Sequence, residues 1–378
     1  MTTSNCTTIQ ESTAELIDEF TVQLIFGVLY SMVWVAGIVG NSLVLYVVSF
    51  NQVSLSVRSI FIGCLAVSDL LMSLTSLPIT AITIFSRVWI FPSIFCKLIG
   101  IFQEGSIFVS SFTLTVIAID RVLLITKPNK EIINYNRAII VVIGIWALGY
   151  SLALPTGIHS GEAAYPGLCG VFCEEQWPDY SEALGRSNQR RIYGLTVLVL
   201  QFGIPALISS ICYYIISRVM DSQLERRRGQ TLLPESEMKL VSRKSRANKM
   251  MIVMVLGFIF AWVPINCINL YRDLISTFTV TTWFSMVFAL CHVTAMMSAV
   301  LNPVIYSWFN PQFRSAIQSV FQRHRKQSLY STKAHAELPS RASHHIMPVS
   351  SAARSDCKKS EVFLTTSTDT HLPGDQML

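Results

Sequence analysis

Charge is what this chain lacks. Of its 378 residues only 14% are Asp, Glu, Lys or Arg, against about 25% in soluble domains. Half of the residues (51%) are hydrophobic, which excludes a disordered chain as well as an ordinary soluble enzyme. Also missing are an internal repeat, a cluster of metal-ligand residues, a nucleophile triad and a glycine-rich phosphate loop. Catalytic residues are therefore expected to be none, and no metal or nucleic-acid partner is implied.

The missing charge is missing in blocks. Thr21–Val57, Ala138–Ser160, Ile192–Ser217, Met250–Tyr271 and Leu274–Phe313 contain none; Ser59–Ser86 contains only Asp69, and Leu98–Ile119 only Glu104. Each block has at least the ~20 residues that cross ~30 Å of hydrocarbon. None shows the period-2 alternation of a barrel strand, and a helix satisfies its own backbone in lipid. The sequence predicts an all-α membrane protein, a seven-helix bundle in the lipid bilayer.

Basic residues set the expected orientation. The segment ahead of the first block carries Glu11, Glu15, Asp18 and Glu19 and no cation, whereas the loop between blocks five and six holds Arg218, Arg226, Arg227, Arg228, Lys239, Arg243, Lys244, Arg246 and Lys249. Positive loops stay inside, so residues 1–21 are expected outside the plasma membrane and the C-terminus in the cytoplasm. No basic start or short apolar core marks a cleavable signal, so the first helix is expected to anchor uncleaved. Asn5-Cys6-Thr7 then reads as a glycosylation acceptor on the outer side. Residues 22–323 form the predicted seven-helix membrane domain, ending in an amphipathic helix over 310–323, where Phe309, Phe313, Ile317 and Phe321 recur every four residues. Residues 324–378, rich in Ser, Thr and His, read as a disordered, phosphorylatable tail.

Four cysteines fall on the oxidising side: Cys6, Cys96, Cys169 and Cys173. A bridge from the loop after the fourth helix to the top of the third is expected, with either loop cysteine as partner. Asp69 lies at membrane depth, where an ionisable group is costly and needs a partner. Asn41, Ser110, Ser298 and Asn302 are the candidates, as a hydrogen-bonded hub or around a cation. Pro78, Pro155, Pro205, Pro264 and Pro303 should each interrupt a helix, and interruptions beside Trp262 and Tyr306 suit a switch better than a static anchor.

These residues carry a resemblance. Gly40-Asn41, Leu65-Ala66-Val67-Ser68-Asp69, Cys96, Asp120-Arg121-Val122, Trp146, Pro205 with Tyr213, Phe258 with Trp262-Val263-Pro264, and Asn302-Pro303-Val304-Ile305-Tyr306 stand in order. The set resembles the rhodopsin-like (class A) G-protein-coupled receptors. Val122 replaces their usual tyrosine, Ala261 their frequent cysteine, and Ser111 a bulky apolar residue packed against Pro205 and Phe258. The resemblance implies a switch of Asp120, Arg121, Tyr213, Phe258, Trp262, Pro264, Asn302, Pro303 and Tyr306, a heterotrimeric G protein as partner, and receptor kinase and arrestin at the tail. It also implies an allosteric sodium ion at Asp69, Ser110, Ser298 and Asn302, with no other cofactor.

Gln103 stands where amine receptors have aspartate, and no lysine lies between Leu274 and Phe313 for a retinal Schiff base. Cys291-His292-Val293-Thr294-Ala295-Met296-Met297-Ser298 and Cys173-Glu174-Glu175-Gln176-Trp177-Pro178 resemble the neuropeptide Y, neuropeptide F and RFamide or RYamide receptors. That likeness makes Cys173 the partner of Cys96 and implies a peptide pocket of Thr80, Gln103, Gln201, Asn269, Asp273 and His292. The ligand would be an amidated peptide, its arginine on Asp273 and its terminal amide on Gln103. Arg87 replaces an acid that some of these receptors carry. Glu104 either deepens the acidic pocket or is a structural carboxylate against helix four or five. The alternatives are another amidated peptide, tachykinin-like, and remotely a transporter, for which a single midplane acid without repeats is meagre.

Overall fold

The computed structural model describes residues 6–49, 56–127, 132–181, 187–228, 235–274, 282–309 and 313–319. Among them are seven helices long and apolar enough to cross a membrane. They are α1 (Phe20–Ser49), α2 (Val57–Leu74 and Ser76–Ser86), α3 (Ser93–Thr126), α4 (Tyr135–His159), α5 (Asn188–Leu198, a π turn Val199–Gly203, then Ile204–Arg228), α6 (Glu235–Leu274) and α7 (Phe284–Met296 and Ser298–Phe309). The fold is the seven-helix bundle that the charge-free blocks predict. A short α8 over 313–319 buries Phe313 and Ala316 and exposes Arg314 and Gln318, the amphipathic pattern expected there. Its expected flanks within 310–323, the glycosylation acceptor Asn5 and the tail 324–378 lie outside the described residues.

Local chemistry places the helix ends. Ser56, Asn134 and Ser187 cap α2, α4 and α5, each side-chain oxygen accepting an N–H from the first turn. α2 breaks at Thr75, three residues before Pro78, whose ring excludes the carbonyl four residues back.

Two prolines leave orphan carbonyls that side chains then satisfy. Pro205 has no N–H for the carbonyl of Gln201. That oxygen accepts instead from the Ser111 hydroxyl of α3, at 2.5 Å. Pro303 likewise abandons the carbonyl of Ala299, and Asn41 Nδ2 of α1 donates to it at 2.9 Å. Asn41 can reach because its neighbour is glycine: a Cβ on Gly40 would stand 3.0 Å from Pro303 Cγ. In hydrocarbon an unmet carbonyl has no water to turn to. Ser111 therefore replaces apolar packing with a hydrogen bond that the π turn needs.

One end of the bundle carries a cap. β1 (Ser160–Ala163) and β2 (Phe172–Glu175) pair antiparallel, Ser160 opposite Glu175 and Glu162 opposite Cys173. Cys96–Cys173 ties this hairpin to α3, and Cys6–Cys169 ties it to the N-terminal segment. That segment continues along the same end: Gln10 donates to the carbonyl of Ser86, Arg87 to Thr13, and Leu16 N–H to the carbonyl of Thr282. Ile17 is wholly buried.

Candidate functional site

At the hairpin end, α3, α5 and α6 part around a cavity of about 140 Å³. Gln103, Glu104, Gln201, Asn269 and Asp273 line it, with Trp262 among the walls. Thr80 and His292 lie outside that lining. Thr80 is half-buried on α2. His292 is 1% exposed, its Nδ1 2.9 Å from the hydroxyl of Tyr30 on α1. Motif spacing puts a residue on a helix; it does not show that α1 will supply the partner.

Glu104 is both a wall of the cavity and a structural carboxylate. Its Oε2 accepts from Thr156 Oγ1 of α4 at 2.7 Å and from the Tyr193 hydroxyl of α5 at 2.9 Å. Gln201 Nε2 donates to the Glu104 carbonyl at 3.3 Å. Three helices are thus joined by polar bonds beneath the mouth, and a packed, bonded set of this kind holds a binding site in one geometry.

Charge at the mouth is balanced between signs. Asp273 Oδ1 lies 3.3 Å from Arg190 Nε and 3.5 Å from Arg272 Nε, and Glu175 of β2 lies 3.5 Å from Arg190 Nε. Arg190 is set by the start of α5. Asp179 accepts from the Ser187 hydroxyl and, at 2.9 Å, from Gln189 N–H. The Ser187 hydrogen bond holds the Asp179 carboxyl below its ordinary range. On the hairpin, Tyr165 donates to Glu174, which pushes the phenol up to about 12. The sequence pattern alone does not single out Arg190, Thr156, Tyr193 or Arg272. The one signal available was the Arg190-Arg191 pair at the very start of a charge-free block.

Deeper in the bundle Asp69 is 2% exposed. Its Oδ2 accepts from Asn302 Nδ2 at 2.8 Å and its Oδ1 from Ser110 Oγ at 3.3 Å. Ser298 Oγ accepts from Trp262 Nε1 at 3.1 Å. Asn302 of α7 and Ser110 of α3 thus bond Asp69 of α2, and Ser298, one turn before Asn302 on α7, bonds the indole that lines the cavity. Trp262 and Phe258 pack on Phe202 of α5, with ring centroids 6.5 and 5.6 Å away, and Pro264 lies inside α6 two residues beyond Trp262.

At the opposite end Arg121 Nη2 is 2.6 Å from Asp120 Oδ2, and the arginine is buried. The hydroxyls of Tyr213 and Tyr306 are buried without a hydrogen-bond partner among the described residues.

The bundle thus has a cavity at one end, a buried polar hub at Asp69 in the middle and a neighbour-paired arginine at the other end. A family model for the seven-transmembrane receptors of the rhodopsin family matches residues 40–306. The chain belongs to this family. Its members are receptors rather than enzymes. Neuropeptide receptor 3 of Caenorhabditis elegans is 66% identical over 319 residues, covering 84% of each chain. The neuropeptide F receptor of Drosophila melanogaster is 32% identical over 78% of this chain and 62% of its own. Neuropeptide Y receptor type 6 of Oryctolagus cuniculus is 31% identical over 77% of this chain and 78% of its own.

Proposed function

We propose that this receptor is a neuropeptide receptor of the plasma membrane, activated by an amidated peptide ending in Arg-Phe-amide or Arg-Tyr-amide. The observation that carries the reading is that Gln103 and Asp273 line one cavity. A primary amide is donor and acceptor at once, as is the Gln103 side chain. An arginine seeks a planar carboxylate for two parallel hydrogen bonds, and Asp273 offers one. The names of the similar receptors support a peptide ligand.

In this reading the capped end faces outward, with the N-terminus outside and the C-terminus in the cytoplasm. Peptide binding favours a second packing in which Trp262 and Phe258 shift about Pro264 and the inner end of α6 moves. Arg121 then leaves Asp120 for a heterotrimeric G protein. Tyr213 and Tyr306 gain partners in that packing, and a buried hydroxyl without one costs about 1–3 kcal/mol. Sodium belongs to the resting packing: the Asp69 carboxylate and the Ser110 hydroxyl, 3.3 Å apart, are oxygen donors of the kind a hard cation takes, and Ser298 and Asn302 would turn their side-chain oxygens to it. These residues would hold it, and the ion would supply a counter-charge to Asp69. Receptor kinase and arrestin act on the tail.

The test is a dose-response panel in cultured cells, reading cyclic AMP and calcium, with Arg-Phe-amide and Arg-Tyr-amide peptides beside their free acids. A potent response that the free acids lack supports the reading. Silence, with receptor at the surface, removes it and directs the search to tachykinin-like peptides.

A further inference from the structure

The carboxylate assigned to the ligand is already taken. Asp273 Oδ1 is shared by Arg190 and Arg272. Its other oxygen, Oδ2, lies over Gly194, where an added Cβ would stand only 3.3 Å away. The glycine leaves room for that oxygen, which a side chain at 194 would crowd. A guanidinium approaching Asp273 for a two-bond contact meets one oxygen without an ion pair among the described residues and one held by two of the chain's own arginines, of which Arg190 is the nearer.

The rest of the cavity wall offers no alternative attraction. Its charged lining is Glu104, Glu175 and Asp273 against Arg190, Arg191 and Arg272, three of each sign. An incoming cation gains by taking over an existing pair, and not from a net negative field. Arg190 is the member best placed to yield. Its Nε sits between two carboxylates, 3.3 Å from Asp273 and 3.5 Å from Glu175. On leaving the first it keeps the second. Glu175 belongs to β2, two residues from Cys173 and its disulfide to α3.

We propose that Arg190 is a built-in competitor for the ligand's cation: it occupies Asp273 in the unliganded receptor and is exchanged onto Glu175 when a peptide guanidinium binds. The proposal rests on the reading that a cationic peptide binds at Asp273. It makes Arg190 a specificity-determining residue. A ligand must bring a cation able to form two bonds to displace a cation held by one, so a peptide with a neutral residue at that place leaves the latch shut. The exchange also transfers a tie. Unliganded, Arg190 links the hairpin to α6; liganded, it links the hairpin to α5 alone, and the end of α6 is released to the peptide.

The experiment uses the full-length receptor with Arg190→Gln, Asp273→Asn and the double variant. The probes are a peptide ending in Arg-Phe-amide and the same peptide with citrulline, uncharged and of the same shape, in place of arginine. Partly exposed ion pairs change an equilibrium by a factor of about two to five. Arg190→Gln is expected to tighten the arginine peptide by about that factor and leave the citrulline peptide unchanged. On the Asp273→Asn background it should alter neither. A loss of affinity for both peptides alike, or an unchanged arginine-to-citrulline ratio, overturns the competitor role. Equal binding of the two peptides to the unaltered receptor overturns the Asp273 reading and the exchange with it. A second arm needs no ligand. In thermal unfolding of the purified receptor, Arg190→Gln and Asp273→Asn should fail to add in the double variant. Strict additivity there overturns the pairing itself.

Discussion

Arg87 and Glu15, separated by 72 positions, meet at 2.5 Å. Arg87 ends α2 in the left-handed conformation, φ 55°, which non-glycine residues avoid. Its guanidinium holds Glu15 and, at 2.9 Å, Asp18. The side chains of Arg87 and Glu15 are 8% and 3% exposed. Glu15 also accepts from Ser285 N–H at the start of α7 at 3.0 Å, so one carboxylate joins the N-terminal segment to two helices.

Breaking a buried pair by removing one partner costs about 3 kcal/mol or more. Arg87→Ala should therefore lower the thermal unfolding midpoint of the purified receptor clearly. Glu15→Gln should lower it less, because Asp18 retains the cation. An Arg87→Ala midpoint equal to that of the unaltered receptor would show that the clasp contributes nothing.

Ser111→Ala deprives the Gln201 carbonyl of its donor at a depth without water. The expected cost is about 1–3 kcal/mol, read as a lower unfolding midpoint, and Ser111→Thr, which keeps a hydroxyl, should recover most of it. If alanine and threonine behave alike, the hydroxyl is not what the π turn needs.

Asp273→Ala should weaken an arginine-bearing amidated peptide about 10- to 100-fold, the size of a charge-assisted hydrogen-bonded pair. Receptor count at the cell surface, measured by antibody on intact cells, should stay the same. Loss of surface receptor would make Asp273 structural. Glu104→Gln separates the two roles of that residue. Since Thr156 and Tyr193 already occupy Oε2, potency is expected to change less than for Asp273→Ala, and a drop as large would give Glu104 a direct part in binding.

Asp69→Asn removes the formal charge of the buried hub that Ser110 and Asn302 bond. Agonist affinity in membranes should then stop falling when sodium chloride replaces an equal concentration of N-methylglucamine chloride. A sodium effect that survives the substitution would place the ion elsewhere.

The seven spans were legible because hydrocarbon penalises charge, and a stretch without charge is visible without knowing its neighbours. Cys96–Cys173 followed from topology plus resemblance. Cys6–Cys169 did not, because it depends on where the segment before α1 lies: Thr7 runs alongside Leu168, with the Cys169 N–H donating to the Thr7 carbonyl. Of the expected pocket, Gln103, Glu104, Gln201, Asn269 and Asp273 face the cavity because their helices converge there. His292 points at Tyr30, a choice made by α1 packing. Arg190 against Asp273 was illegible for a related reason. Its bearing depends on the irregular turn between it and Pro205, and a propensity reading sees only a continuous apolar helix.

That turn has a further consequence. A π turn holds one residue more than the α-helical path between the same two ends, and each residue of an α-helix advances about 100° around the axis. The stretch Asn188–Leu198 is therefore out of phase with Ile204–Arg228 by about that angle. Deleting one residue from Val199–Gly203 would bring the two halves back into phase and turn Tyr193 and Arg190 together away from α4 and α6. In evolutionary terms the outer third of α5 works like a dial: a single-codon insertion or deletion, with no contact residue substituted, would present a different row of side chains to the same cavity.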